Sequence, residues 1–223
     1  MKVSEAVATR MSCRAFLPTP VPEATVRAIL DAARQAPSGG NLQPWRVYAL
    51  AGDALAGLVA AVRAKLPNHP RGEEPEYDIY PAELWEPYRS RRFKCGEDLY
   101  ATIGVTREDK LARLLQFARN YKFFGAPVGL FFYLDRRLGP PQWSDVGMYM
   151  QNVMLLAREH GLDTCAQEAW SVWHRTVGGF LGTPPELMLF SGMALGWRDE
   201  SAPINRLRTD RAPLEEIASL RGF

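Results

Sequence analysis

Apolar residues recur along the first part of this chain in two rhythms, and each rhythm places an element. Between Pro22 and Pro37, the residues Val26, Ile29, Leu30 and Ala33 fall at the spacing of one helix face. Pro22 suits the first turn, and Pro37 forces termination. Val3 to Arg10 is a shorter candidate helix upstream. Arg46 to Leu50 reads as a strand, and Asp53 is placed to cap a helix whose Leu55, Leu58, Val59, Val62 and Leu66 form one apolar face. This helix, strand, helix alternation lacks the glycine fingerprint of dinucleotide binding.

The pattern then breaks. From Pro67 to Val105 the chain turns to Pro, Tyr, Trp, Arg and Glu, which reads as an inserted, partly helical excursion able to cover a site. Thr106 with Asp109 resembles a capping box for a helix that Leu111, Leu114, Leu115 and Ala118 continue to about Phe124, where Gly125 and Pro127 end it. Val128 to Leu134 is a buried-looking strand. Ser144 is placed to cap a long helix with Met150, Val153, Met154 and Ala157 inward, closed by Gly161. Leu187 to Gly196 reads as another strand. The tail from Ala202 carries Arg206 and Arg208 in an extended run, and Pro213 starts a short terminal helix. Without repeats or low-complexity segments, residues 1–223 read as a single α+β domain.

Composition narrows the function classes. The chain has 223 residues, 47% apolar and 23% charged, enough for a self-sufficient core and too apolar for disorder. Its 27 basic and 25 acidic residues are well mixed, unlike a protein that neutralises a nucleic-acid backbone. Cys13, Cys95 and Cys165 are odd in number and lack metal-ligand or disulfide spacing, so no metal site is expected and a reducing cytoplasm is the default. No basic stretch leads into an apolar run at the N-terminus, and nowhere do 18 apolar residues follow one another, so secretion and membrane spanning lack support.

Two segments resist explanation by packing. Arg10-Met11-Ser12-Cys13-Arg14 and Pro37-Ser38-Gly39-Gly40-Asn41-Leu42-Gln43-Pro44-Trp45 combine cations, hydroxyls and amides, a set suited to a phosphorylated ring rich in hydrogen-bonding groups. Arg206 and Arg208 add two more guanidiniums near the C-terminus. Taken singly, each arginine is equally an ordinary solvated surface cation, and Pro-Ser-Gly-Gly is equally a helix-terminating loop. Cys165 reads as a small buried filler and not as a nucleophile, since no His is placed beside it. His160 before Gly161 reads as a helix cap.

These motifs, in this order and over nearly the whole chain, resemble the FMN-dependent nitroreductase family. The likeness is strongest to the branch acting on nitrobenzoate-like acceptors, which shares the long Pro- and Tyr-rich insert. The resemblance implies a central mixed sheet flanked by helices in an intertwined homodimer. It implies that Arg10, Met11, Ser12, Arg206 and Arg208 hold the ribityl phosphate, with Arg14 nearer the flavin pyrimidine. Pro37, Ser38, Gly39, Asn41 and Gln43 reach the same non-covalent FMN from the other subunit. It further implies that Ala166, Gln167, Glu168 and Ala169 pass along the flavin face, where many relatives have Pro in place of Ala166, and that Asn120 and Lys122 reach the pyrimidine. NADH or NADPH would deliver hydride to the flavin and leave, and a small aromatic acceptor, a nitroaromatic or a quinone, would take the same place. No dedicated catalytic side chain is then required. Trp85, Tyr88 and Phe93 stand as weaker candidates for shaping the acceptor site, and equally as interface. Two alternatives share the motifs: an enzyme of the same fold that fragments flavin or removes halogen, and a non-catalytic protein that stores flavin or senses redox state.

Overall fold

The computed structural model describes residues 1–223. Eight α-helices surround one sheet of four strands, β1 (Arg46–Ala51), β2 (Val128–Asp135), β3 (Asp163–Gln167) and β4 (Leu187–Gly196). The strand order is β1-β2-β4-β3, and all three pairings are antiparallel. Parallel pairing enters only at an isolated bridge between Ser12 and Thr164 on the outer edge of β3.

β2 divides the core in two, because successive side chains of a strand point to opposite faces. Val128, Leu130, Phe132 and Leu134 pack on one side with Val26, Ile29 and Ala33 of α2 (Glu23–Ala33) and with Val146, Val153 and Ala157 of α6 (Pro140–Glu159). Phe131 and Tyr133 face the other side, against Leu55, Leu58 and Val62 of α3 (Gly52–Lys65) and Val177 of α7 (His174–Leu181). Burying both faces explains why β2 reads as an unbroken apolar run instead of an alternating one.

Several helix boundaries differ from the sequence expectation. Asp53 does not cap α3; Ala51 does, and Gly52 at φ +54° turns the strand straight into the helix. Asp109 itself caps α5 (Lys110–Ala118), its side chain accepting from Ala112 N at 2.9 Å. Ser144 lies inside α6, which starts at Pro140 because Gly139 and two prolines set up its first turn. The helix expected to run to Phe124 stops at Ala118, and a tight 3₁₀ segment follows to Gly125. Arg206 closes a 3₁₀ turn at Pro203–Arg206, so the tail is not extended until after it. The short α7 was hidden by its paired glycines.

The excursion is divided. Its base is pinned to the core: buried Glu73 accepts from Arg175 N and Thr176 N at 3.0 Å each and from Thr176 Oγ1 at 2.7 Å, so it caps the start of α7. Tyr77 adds a hydrogen bond to Phe190 O. Beyond it, α4 (Tyr88–Ala101) and α5 form an arm without one buried residue. Leu111, Leu114 and Leu115, which share one apolar face of α5, are 66%, 59% and 62% exposed. Within one chain α5 has no partner for its apolar face. Only Arg113 ties the two helices, donating to both oxygens of Glu97 at 2.7 and 2.9 Å.

Candidate functional site

β3 is an edge strand, and the Arg10 to Arg14 segment lies along its free side. Cys13 N donates to Thr164 O at 2.9 Å, next to the Ser12–Thr164 bridge. In β3 only Ala166 is exposed; Asp163, Thr164, Cys165 and Gln167 are buried, so the strand offers one small side chain and its backbone to whatever lies over it. Burial pushes the Cys13 thiol up to about 12 and raises that of Cys165 as well. Both are unreactive filler.

The C-terminal segment is riveted onto the same place. Asn205, 5% exposed, accepts from Arg14 N at 2.8 Å and donates to Ala15 O at 2.8 Å and Asp199 O at 2.9 Å. Arg206 and Arg208 are thereby carried beside Arg10 to Arg14, by a contact whose two residues, Arg14 and Asn205, lie 191 positions apart in sequence. Arg10, Arg14, Arg206 and Arg208 take part in no ion pair, and the side chains of Arg10 and Arg206 make no hydrogen bond at all. Arg14 Nη1 donates to Ser12 O at 3.2 Å. Met11 is buried, with its sulfur against Arg208 Nη1 at 2.9 Å, so it backs an arginine instead of lining open space.

Gln167 joins a second segment to this edge. Its Nε2 donates to Asn120 O at 2.8 Å and Asn120 Oδ1 at 3.2 Å, while its Oε1 is buried without a partner. Lys122 is exposed and adjacent. Phe123 (φ +49°) and Phe124 (φ +54°) hold left-handed backbone that non-glycine residues rarely adopt. They stay there because Phe123 stacks on Trp170 at 4.7 Å, and because Gly129 and Gly192 lack the Cβ atoms that would collide with those two rings. Glu168 and Ala169 follow β3 in a 3₁₀ turn that delivers Trp170 to this stack.

The loop from Pro37 to Gln43 projects from a different part of the chain. Buried Asp145 of α6 accepts from Gly39 N at 3.3 Å, Ser38 Oγ accepts from Gln43 N at 2.9 Å, and Trp45 stacks on Tyr149 at 5.0 Å. Anchored so, the loop tip is exposed, and Asn41 (φ +56°) and Gln43 (φ +48°) are left-handed. Two of the four non-glycine residues with positive φ, Asn41 and Gln43, thus fall in the loop nominated on chemical grounds, and the other two, Phe123 and Phe124, directly follow Lys122; such strain costs about 1–3 kcal/mol per residue. No hydrogen bond joins this loop to the Arg10 to Arg14 segment within one chain.

Trp85, Tyr88 and Phe93 sit on or beside the arm, all exposed, with Trp85 and Tyr88 edge to face at 5.5 Å. A groove of about 1060 Å³ there is lined by Tyr80, Phe93, Tyr100 and Phe117. No cluster of three or more His, Cys, Asp or Glu stands ready for a metal, and no helix is long and apolar enough to cross a membrane. Sequence reading missed Asp145 and the bridging role of Asn205. A buried Asp on a helix face and an Asn before Arg were the available signals.

Unpaired guanidiniums suit a phosphate, and the orphaned Gln167 oxygen, the Asn120 amide and the exposed β3 backbone suit the hydrogen-bonding edge and face of a planar heterocycle. The donor set therefore fits a flavin mononucleotide. Comparison with known proteins points the same way. Residues 7–197 match the model of the nitroreductase family. The chain is 38% identical to a nitrobenzene nitroreductase of Ectopseudomonas oleovorans, over 97% of this chain and 96% of that one. It is 36% identical to a 4-nitrobenzoate reductase of Pseudomonas putida, over 97% and 94%. The crystal structure of the FMN and NADPH-dependent nitroreductase NfnB from sphigopyxis sp. strain HMH superimposes with a TM-score of 0.97 at 48% identity, covering 100% of both chains. On sequence, fold and donor chemistry alike, the chain belongs to the nitroreductase family.

Proposed function

We propose that this protein is an NAD(P)H-dependent nitroreductase that holds non-covalent FMN and passes reducing equivalents to nitroaromatic acceptors. Held there, FMN would supply the redox chemistry that links a nicotinamide reductant to the acceptor. The observation that carries the reading is the Asn205 rivet, which gathers four guanidiniums free of carboxylate partners beside β3 and its exposed Ala166. Arg10, Ser12, Arg206 and Arg208 bind the phosphate end. Arg14 places positive charge near the pyrimidine, where it favours the reduced, anionic form. Gln167 fixes Asn120, and Ala166 keeps the face above β3 open.

The site is completed by a second copy. Helices of nine and fourteen residues without a buried side chain are marginal in isolation, so the arm needs a surface to pack against. The outer edge of β1 is unpaired and borders an apolar cleft of about 750 Å³ between β1 and α2. Leu214, Ile217 and Leu220 of the tail are 56%, 68% and 71% exposed. Homodimerisation covers both, with the partner's tail in this cleft, and brings the Ser38 to Gln43 loop of one subunit to the Arg10 to Arg14 segment of the other.

One exposed face with room for one planar ligand means that reductant and acceptor alternate. In anaerobic stopped flow, NADPH or NADH bleaches the bound flavin, and 4-nitrobenzoate or a quinone mixed in afterwards restores its colour; steady-state plots are parallel. Flavin that neither nicotinamide reduces overturns the enzymatic reading in favour of storage or sensing. Fast reduction with reoxidation by oxygen alone overturns the acceptor assignment.

A further inference from the structure

Resting on the FMN reading above, we propose that Arg198 is a further ligand of the cofactor's phosphate, and that Glu200 is a competing carboxylate which the phosphate displaces. The cleft between β4 and the tail, about 420 Å³, is lined by Arg198, Glu200, Asn205, Arg206 and Arg208, with no apolar residue. Three guanidiniums against one carboxylate leave an excess of two positive charges, which matches a phosphate near its second ionisation.

Arg198 follows β4 and bridges Phe16, so its backbone runs beside the Arg10 to Arg14 segment. Its Nη1 approaches Met11 Sδ at 3.4 Å, and Arg208 Nη1 reaches the same sulfur at 2.9 Å. Two arginines from separate segments thus converge on one buried residue of the Arg10 to Arg14 motif. Behind them lies Asp163, 2% exposed, with Arg158 Nη1 at 2.8 Å and Arg198 Nε at 3.7 Å. That carboxylate orients the Arg198 fork from the buried side.

On the open side Arg198 Nη2 donates to Glu200 Oε1 at 2.9 Å. The Glu200 side chain is 80% exposed, so this pair is weak and the carboxylate is free to swing into water. A phosphate offers more charge and a third oxygen for the same planar donors. Arg198 therefore differs from a solvated surface cation: its stem is held, its inner edge is paired, and its outer edge is lent to a group that leaves at little cost.

The test is the ratio of FMN to riboflavin affinity, because the two ligands differ only in the phosphate. Full-length apoprotein is titrated with each flavin, following fluorescence quenching, for the wild type and for R198A, R198K and E200Q. R198A is expected to weaken FMN by about thirtyfold, the scale of a charged hydrogen-bonded contact, and to leave riboflavin within about twofold. R198K keeps part of the FMN preference, and E200Q strengthens FMN by about threefold, the scale of losing one weak competing pair. If R198A changes both flavins equally, or neither, Arg198 only braces Asp163 and the proposal is wrong. Should R198A fail to fold, an E200Q variant with unchanged FMN affinity overturns it. A wild-type protein that binds neither flavin removes the FMN reading itself, an outcome separate from these.

Discussion

Asn205 Oδ1 accepts a hydrogen bond from the backbone N–H of Arg14 at 2.8 Å, and through this contact the two ends of the chain become one site. The same amide donates to Ala15 O and Asp199 O, so all its bonds serve to fix backbone. Replacing Asn205 with Ala leaves the buried Ala15 carbonyl, and the half-buried Arg14 N–H and Asp199 carbonyl, without these partners. Urea unfolding of N205A is expected to show a loss of about 2–4 kcal/mol, with FMN retention falling at least tenfold. A variant of wild-type stability and normal FMN affinity would show that the rivet is dispensable.

Glu73 connects the base of the excursion to the fold and makes that connection sensitive to acid. Burial raises its pKa, but the hydrogen bonds from Thr176 and then the pairing with Lys65 pull it down further, and the net shift is downward. A carboxyl depressed in the folded state contributes stability above its unfolded pKa and loses it as pH falls through the folded value. E73Q is expected to cost about 2–3 kcal/mol at neutral pH. The gap between E73Q and wild type should shrink below about pH 4, near where carboxyls protonate. A gap that stays constant down to acid unfolding would mean that the charge of Glu73 does not matter.

The exposed face of α5 gives a direct handle on assembly. L114E with L115E adds charge to a surface that one chain leaves uncovered, so folding of the monomer should change by less than about 1 kcal/mol. Sedimentation should show loss of the dimer and, with it, of bound FMN. A double variant that remains dimeric and yellow would remove the arm from the interface.

Exchanging Trp85 or Tyr88 for Ala separates the two readings of the arm aromatics. If they shape the acceptor site, KM for a nitroaromatic rises about three- to thirtyfold, the scale of one buried aromatic contact, with FMN affinity intact. Unchanged acceptor kinetics with a weakened dimer would assign them to the interface.

Much of the fold was legible because its period is local. β2 and α6 are buried on regular faces, and Val128 to Leu134 and Met150 to Ala157 announce them. What escaped depended on contacts distant in sequence. The end of α5 at Ala118 is set by Phe123 and Trp170 closing over Gly129 and Gly192, a packing event that no window around residue 120 contains. Leu111, Leu114 and Leu115 have a sound helical period, but a period says that a face is apolar and not which chain covers it. The arginines of the site were legible as a motif. Their freedom from carboxylates, and the anchoring of the Pro37 to Gln43 loop by Asp145, were visible only once the chain was folded.

The most direct measurement is the flavin content of the purified protein, resolved by assembly state. Size-exclusion fractions are denatured, precipitate is cleared, and the supernatant is read for FMN. The expected result is one FMN per chain, released without covalent attachment and travelling with the dimer. A colourless protein that takes up no added FMN, or a monomer that retains it in full, would contradict the account.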